Sequence, residues 1–321
     1  MTVGRSPIDS ANGIRRTANL MQHAHVSRKL IVASIATFAF VLLELAAGFL
    51  ANSLALISDA FHNFTDTLAL LLALFAVRLE RRPANTVKSY GYHRAGVLTA
   101  FVNAGTLVAF TIFIFFEAFE RLRVPRPVNA TWMLAVAAVA LVLNAAITWW
   151  LRREGRSDLN IHSAVLHMLG DAVSSAGIII ASVLIRVTGM SMWDPAMSML
   201  IGVMILWSSW GVLKEALNLL LEGTPQGIDP EAVSRSLAAI EGVHGVHHLH
   251  IWALGRSRPA LSCHLMVGDV PVKMTGTLLD RINRMLEEQY QIAHTTIQFE
   301  FASCDVDDPY CVPYTAQNDY R

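Results

Sequence analysis

Charge is what this chain has least of. Among its 321 residues only 16% are Asp, Glu, Lys or Arg, against roughly 25% in soluble domains, while 54% are hydrophobic and mean hydropathy is +0.44. Most of the chain therefore reads as membrane, with its charges concentrated elsewhere. The 25 basic and 25 acidic residues cancel, which leaves no electrostatic footprint for nucleic acid. Cysteine is scarce as well. Cys263, Cys304 and Cys311 are odd in number and late in the chain, which argues against a disulfide framework and fits a reducing compartment. The first 28 residues carry Arg5, Arg15, Arg16 and Arg28 but no short apolar core before a small-residue cleavage site. No cleaved signal peptide is expected, and the first apolar run should remain as a span. The zinc-hydrolase pattern His-Glu-x-x-His is missing too.

What is there is a series of six apolar runs of spanning length: Leu30 to Leu50, Leu54 to Val77, Ala95 to Phe119, Trp132 to Leu151, Ala164 to Val187 and Pro195 to Leu221. Only Ala51, Asn52 and Ser53 part the first two, which predicts a tight antiparallel hairpin. Basic residues cluster on one side: the N-terminal arginines with Lys29, then Arg81, Arg82, Lys88 and Arg94, then Arg152, Arg153 and Arg156. The positive-inside rule puts both termini in the cytoplasm, with Arg121, Arg123 and Arg126 in the second outer loop dissenting. The expected division is a tail at 1–28, six transmembrane helices within 29–222, a soluble domain at 223–302 and a tail at 303–321. The fold class is a mostly α membrane protein carrying a cytoplasmic α+β domain.

Polar residues inside the spans are few. In the second run Asp59, His62 and Asp66 stand at i, i+3 and i+7, on one helical face. An ionised Asp at mid-membrane costs roughly 2.5–3.5 kcal/mol even on the lenient insertion scale, so such a cluster calls for a compensating partner. A divalent cation is one such partner; interhelical hydrogen bonding is the alternative. The fifth run repeats part of the pattern, with His167 and Asp171 one turn apart, as His62 and Asp66 are. Two such helices face to face supply two imidazole nitrogens and two carboxylates, a set that suits tetrahedral zinc and cancels its charge. Asp59 has no counterpart in the fifth run and, with Glu44 of the first, is a candidate for a proton or ion path. Asn103, Glu117 and Asn144 are further polar residues of the spans, the asparagines reading as packing glue.

Beyond Gly223 the pattern is that of a compact soluble unit. Asp229-Pro230-Glu231 starts a helix, with a side-chain cap, proline in the first turn and an acid at the positive dipole end. Strands are expected at Val246 to Leu254, Leu261 to Val267 and Thr295 to Phe301, with a helix at Val272 to Leu286. The order αββαβ makes a three-stranded sheet with two helices on one face. Alternation puts Leu261, Cys263, Leu265 and Val267 on one side and His264 on the other, and sets Ile297, Phe299 and Phe301 against Thr296, Gln298 and Glu300. His264, Gln298 and Glu300 then share an exposed face. Alternation leaves open whether His247, or His248 and His250, join them.

The stretches Ser53 to His62, Ser89 to Ala95, Asn160 to Asp171, Leu221 to Pro225 and His247 to Trp252 resemble the cation diffusion facilitator family, closest to its zinc-transporting branch. The resemblance runs from about Lys29 to Glu300. It implies a homodimeric exporter of divalent metal, driven by proton antiport, with a cytoplasmic domain of the small metallochaperone type. Carried over by position, it makes His62, Asp66, His167 and Asp171 the transport site and His93 a candidate for a second, weaker ion at the membrane surface. It also makes His247, His264 and Glu300 a candidate zinc site between the cytoplasmic domains, where Gln298 departs from the histidine of some members. The histidine-rich loop common in that branch is missing from 152–160, where His162 alone follows; His23 and His25 are the nearest substitutes.

Zinc needs neutral imidazole and ionised carboxylate, so protons compete with it for these four side chains, within reach of an unperturbed imidazole near pH 6.5. Zinc is the expected cargo, with cadmium or cobalt also accommodated; the bilayer, protons and a second copy of the chain are the expected partners, and nucleic acid is not. Plasma (inner) membrane is the expected location. Two rivals are an intramembrane zinc enzyme, which should show turnover without flux, and a membrane-anchored metal sensor, whose response should survive loss of His62 or Asp66.

Overall fold

The computed structural model describes residues 37–154, 159–255, 258–269 and 271–301. His23, His25, Cys304, Cys311, the first seven residues of the first apolar run and part of the 152–160 loop lie outside the described residues. Six apolar helices come first: α1 (Thr37–Ala51), α2 (Leu54–Glu80), α3 (Ala95–Arg123), α4 (Ala130–Glu154), α5 (Leu159–Thr188) and α6 (Trp193–Leu220). Five of them are long and apolar enough to cross a membrane, and α1 is a shorter apolar helix as far as it is described. The longer helices overrun their apolar runs by a few residues, since a helix continues past the hydrocarbon into the polar interface. Then follow α7 (Pro230–Ala238), β1 (Val243–Gly255), β2 (Arg258–Val267), α8 (Val272–Tyr290) and β3 (His294–Glu300). The described residues form two compact units, one of residues up to Leu68 with Thr106–Trp207, the other of Ala69–Gly105 with those from Ser208 on.

In the first unit small and branched side chains, among them Ala55, Ala137, Ala181, Ile178 and Ile201, make the buried cluster. Small residues let helix backbones approach closely, which is how helices pack where lipid offers no hydrophobic drive. The expected hairpin is present. Asn52 closes α1 in the left-handed conformation (φ 53) and the Ser53 amide donates to the Gly48 carbonyl at 2.9 Å, an asparagine-capped helix end. A Cβ on Gly48 would fall 2.9 Å from Ile57 Cγ1, so this turn needs glycine there. The start of α2 is fully satisfied. The Leu54 and Ala55 amides donate to the Asp194 carboxylate at 2.7 and 3.2 Å, Leu56 to Ser53 Oγ at 3.2 Å and Ile57 to the Ser53 carbonyl at 3.2 Å. The four orphan donors of a helix start thus all find acceptors where no bulk water is present. Ser53 Oγ itself donates to Asp194 at 2.6 Å. Asp194, fully buried at the head of α6, therefore fixes where α2 begins.

The second unit contains the sheet, ordered β1-β2-β3, with β1 antiparallel and β3 parallel to β2. The cap at Asp229 is as expected, its carboxylate accepting from the Glu231 amide at 3.0 Å. Val233 and Leu237 of α7, Ile282 and Leu286 of α8, and Leu249, Ile251, Leu261, Cys263 and Leu265 of the strands make one core. Burial pushes the Cys263 thiol up to about 12, so it stays protonated and inert. Phe301 departs from expectation. The strand stops at Glu300 and Phe301 lies 74% exposed beyond it, because alternation holds only while the ladder continues.

Candidate metal centre

The helical period of α2 and α5 puts His62 over Asp66 and His167 over Asp171, and the two helices bring the pairs together. Asp66 lies 3.3 Å from His167 Nε2 and 3.6 Å from His62 Nε2; Asp171 lies 3.7 Å from His167 Nε2 and 4.0 Å from His62 Nε2. Each imidazole thus stands between both carboxylates. Metal–ligand bonds of about 2.0–2.2 Å in a tetrahedron place donor atoms about 3.3–3.6 Å apart. These separations lie near that edge; His62, Asp66 and His167 each offer a donor atom within 4.8 Å of the others, while Asp171 turns Oδ1 to His62 and Oδ2 to His167. Side-chain exposure falls from 43% at His167 to 4% at Asp171, so the cluster opens on its His167 side.

Glu44 of α1 and Asp59 of α2 lie deeper, both fully buried. They face each other, with Asn63 near Glu44 and both Ser174 and Asp171 near Asp59. None of their oxygens is within hydrogen-bond geometry of a partner among the described residues. Two carboxyls side by side in a buried interior, with a third at Asp171, call for a proton or a cation between them.

The second cluster lies on the sheet. His247, His264 and Gln298 form one row across the three strands, and Glu300 is opposite Met266 in the next row of that face. Glu300 bridges the two imidazoles: Oε2 is 2.9 Å from His247 Nε2 without hydrogen-bond alignment, and Oε1 is 2.8 Å from His264 Nδ1. Gln298 Nε2 donates to the same Oε1 at 2.8 Å. The question alternation leaves open is answered by a bulge. His248 is left-handed (φ 49), and the β1–β2 register slips between His247 and His250. One extra residue shifts the parity, so Val246, Leu249 and Ile251 all reach the core, while His247, His248 and His250 fall together on the other face. The His248 ring lies 4.8 Å from that of His264 and 5.6 Å from that of His247. Partial desolvation and the neighbouring imidazoles of His264, His247 and His250 lower the His248 pKa.

His93 belongs to neither cluster among the described residues; its Nε2 is 3.1 Å from the Arg258 guanidinium. His244 and His294 also stand apart from the two groups. Asp194 has no place among the sequence candidates, because it lies just outside the sixth apolar run, where an acid reads as loop. Its one signal is position, immediately before a proline at a helix start.

Two family models match the chain. The family model described as the cation efflux transmembrane domain matches residues 30–221, and that of the cation efflux protein, cytoplasmic domain, matches residues 225–302. The chain is 41% identical over 297 residues to the zinc transporter ZitB of Escherichia coli strain K12, spanning 92% of this chain and 94% of that one. It is 38% identical over 281 residues to the metal cation efflux system protein CzcD of Cupriavidus metallidurans, spanning 88% and 89%. It is 36% identical over 274 residues to the cadmium, cobalt and zinc/H(+)-K(+) antiporter of Bacillus subtilis strain 168, spanning 84% and 88%. Since both domain models match in order and relatives align along most of its length, this multi-pass membrane protein belongs to the cation efflux family.

Proposed function

We propose that this chain exports zinc from the cytoplasm in exchange for protons, with cadmium and cobalt as further cargo. The observation that carries this reading is the ring of His62, Asp66, His167 and Asp171, whose separations of 3.3 to 4.0 Å suit one tetrahedral ion. Two nitrogens and two oxygens favour zinc over the harder ions manganese and magnesium. The names of the relatives, which include zinc, cadmium, cobalt and H(+), agree with it. Release follows from the same groups. Protonating an imidazole removes its lone pair and protonating a carboxylate removes its charge, so protons arriving from outside displace the ion. Glu44 and Asp59 hold a proton between them and pass it towards Asp171. Both termini lie in the cytoplasm, the membrane is the plasma (inner) membrane, and the working form is a homodimer. The tail, transmembrane, cytoplasmic and C-terminal segments divide at residues 28, 222 and 302.

On the sheet, His247, His264 and Glu300 are the residues that would hold a resident zinc ion, with donor atoms within 4.8 Å of one another. The ion would supply positive charge to a carboxylate that otherwise shares itself between two imidazoles. Proteoliposomes loaded with a zinc-sensitive dye test the main reading. Zinc flux should rise with an imposed proton gradient and fall when the gradient is collapsed; flux indifferent to the gradient rejects antiport. Glu44→Gln should bind zinc normally yet weaken the gradient dependence, and a variant with unaltered dependence removes Glu44 from the proton path.

A further inference from the structure

One cavity serves neither cluster. It occupies about 800 Å³ in the second unit, and among its lining are Arg81, Arg82 and Arg258, His93 and His294, and a single acid, Glu80. That acid is already engaged, since Glu80 Oε1 accepts from the Gly96 amide at 3.2 Å. Arg258 Nη1 lies 3.1 Å from His93 Nε2, and none of Arg81, Arg82 and Arg258 has a carboxylate within salt-bridge distance among the described residues. All three arginines thus line a concave space with no carboxylate among the described residues to offset their charge. A divalent cation is the wrong occupant here, because three fixed positive charges repel it.

Position adds to this. Arg81 and Arg82 directly follow α2, whose apolar run ends at Val77 and whose last turn carries Arg78. The cleft therefore begins where a spanning helix leaves the hydrocarbon, at the depth of lipid head groups. Tyr90, 51% exposed on the rim and in edge contact with the His294 ring, is the kind of amphipathic side chain found at that depth. Guanidinium forks match phosphate oxygens in pairs, and basic pockets at the ends of spans take anionic head groups.

We propose that this cleft is a phosphate-binding site and that the head group of an anionic phospholipid fills it. Nothing in this depends on which ion is transported. Full-length protein released from phosphatidylcholine nanodiscs doped with phosphatidylglycerol is examined by native mass spectrometry, titrating the anionic lipid. The apparent affinity for retained phosphatidylglycerol should fall about fivefold for each arginine removed in the series R258Q, R82Q/R258Q and R81Q/R82Q/R258Q. R281Q/R284Q, on α8 and outside the cleft lining, should leave it unchanged. A second arm separates the sources: inorganic phosphate is titrated into protein in phosphatidylcholine-only nanodiscs. Heat of binding that follows the same arginine series, with displacement of the lipid, keeps the phosphate site but overturns the lipid as its occupant. Lipid retention equal in parent, triple variant and α8 control, with no phosphate heat, overturns the proposal. Single R258Q, an exposed change, keeps the test decisive if the triple variant unfolds.

Discussion

Two histidine–carboxylate clusters stand in one chain, built from the same residue types and spaced differently. In the spans, imidazole and carboxylate atoms lie 3.3 to 4.0 Å apart. On the sheet, Glu300 sits 2.8 and 2.9 Å from two imidazoles, at hydrogen-bond distance. Scaffolding explains the difference. Helical side chains one turn apart are held by their backbones on two separate helices, which keeps four groups around an open centre. Cross-strand neighbours on a sheet are close enough for a carboxylate to lie directly between imidazoles. The first arrangement keeps its imidazoles and carboxylates apart. The second sets one carboxylate against two imidazoles.

The largest effect expected is from Asp171→Ala. Loss of even an outer partner of a metal ligand costs about 10–100-fold, so removing one of four inner groups should cut zinc flux in proteoliposomes by on the order of 100-fold or more. Zinc affinity measured at His247, His264 and Glu300 should be untouched. Glu300→Ala is the mirror experiment. Zinc affinity of the cytoplasmic site, read by calorimetry on the full chain, should weaken about tenfold or more, while flux stays within about twofold, since distant sites act independently. If Glu300→Ala abolishes flux as Asp171→Ala does, the two clusters are one machine and the contrast between them fails.

The legibility of the two clusters differs for the same physical reason. Helical spacing is regular, so His62 with Asp66 and His167 with Asp171 could be paired from residue numbers alone, and the six apolar runs with them. The αββαβ order was readable from the cap at Asp229 and the alternation of Leu261 to Val267. His247, His248 and His250 could not be assigned to a face, because one left-handed residue inverts the parity of everything after it and no composition rule forces His248 to adopt it. Asp194 was out of reach in another way. Its acceptors serve amides about 140 residues earlier in the chain, and no local pattern reports a cap supplied from a distant helix.

The bulge itself can be tested. His248 at φ 49 occupies a region that costs a β-branched residue about 1–2 kcal/mol, whereas glycine adopts it freely. His248→Val should therefore lower the melting temperature of the cytoplasmic domain by several degrees and weaken sheet-bound zinc, as parity slips and His247 or His250 turns towards the core. His248→Gly should keep the melting temperature near the parent's. Equal melting of the two variants means that the bulge does not depend on the backbone preference of this residue.

The smallest effect expected is one of pH. His248 has a folded pKa below its ordinary value of about 6.5, through partial desolvation and the nearby imidazoles of His264, His247 and His250, with the Glu300 carboxylate pulling the other way. Below pH of about 6.5 the unfolded chain takes up a proton that the folded chain resists, so stability is complete above that pH and is lost as pH falls towards the folded pKa. With zinc removed by a chelator, the melting temperature of the parent should fall more steeply below pH 6.5 than that of His248→Asn, which keeps a residue tolerant of left-handed backbone but cannot titrate. The difference will be modest, because His248 is only half-buried and solvent screens its neighbours. Its sign is nonetheless decisive. A steeper fall in the variant would mean that the folded sheet stabilises the charged form of His248.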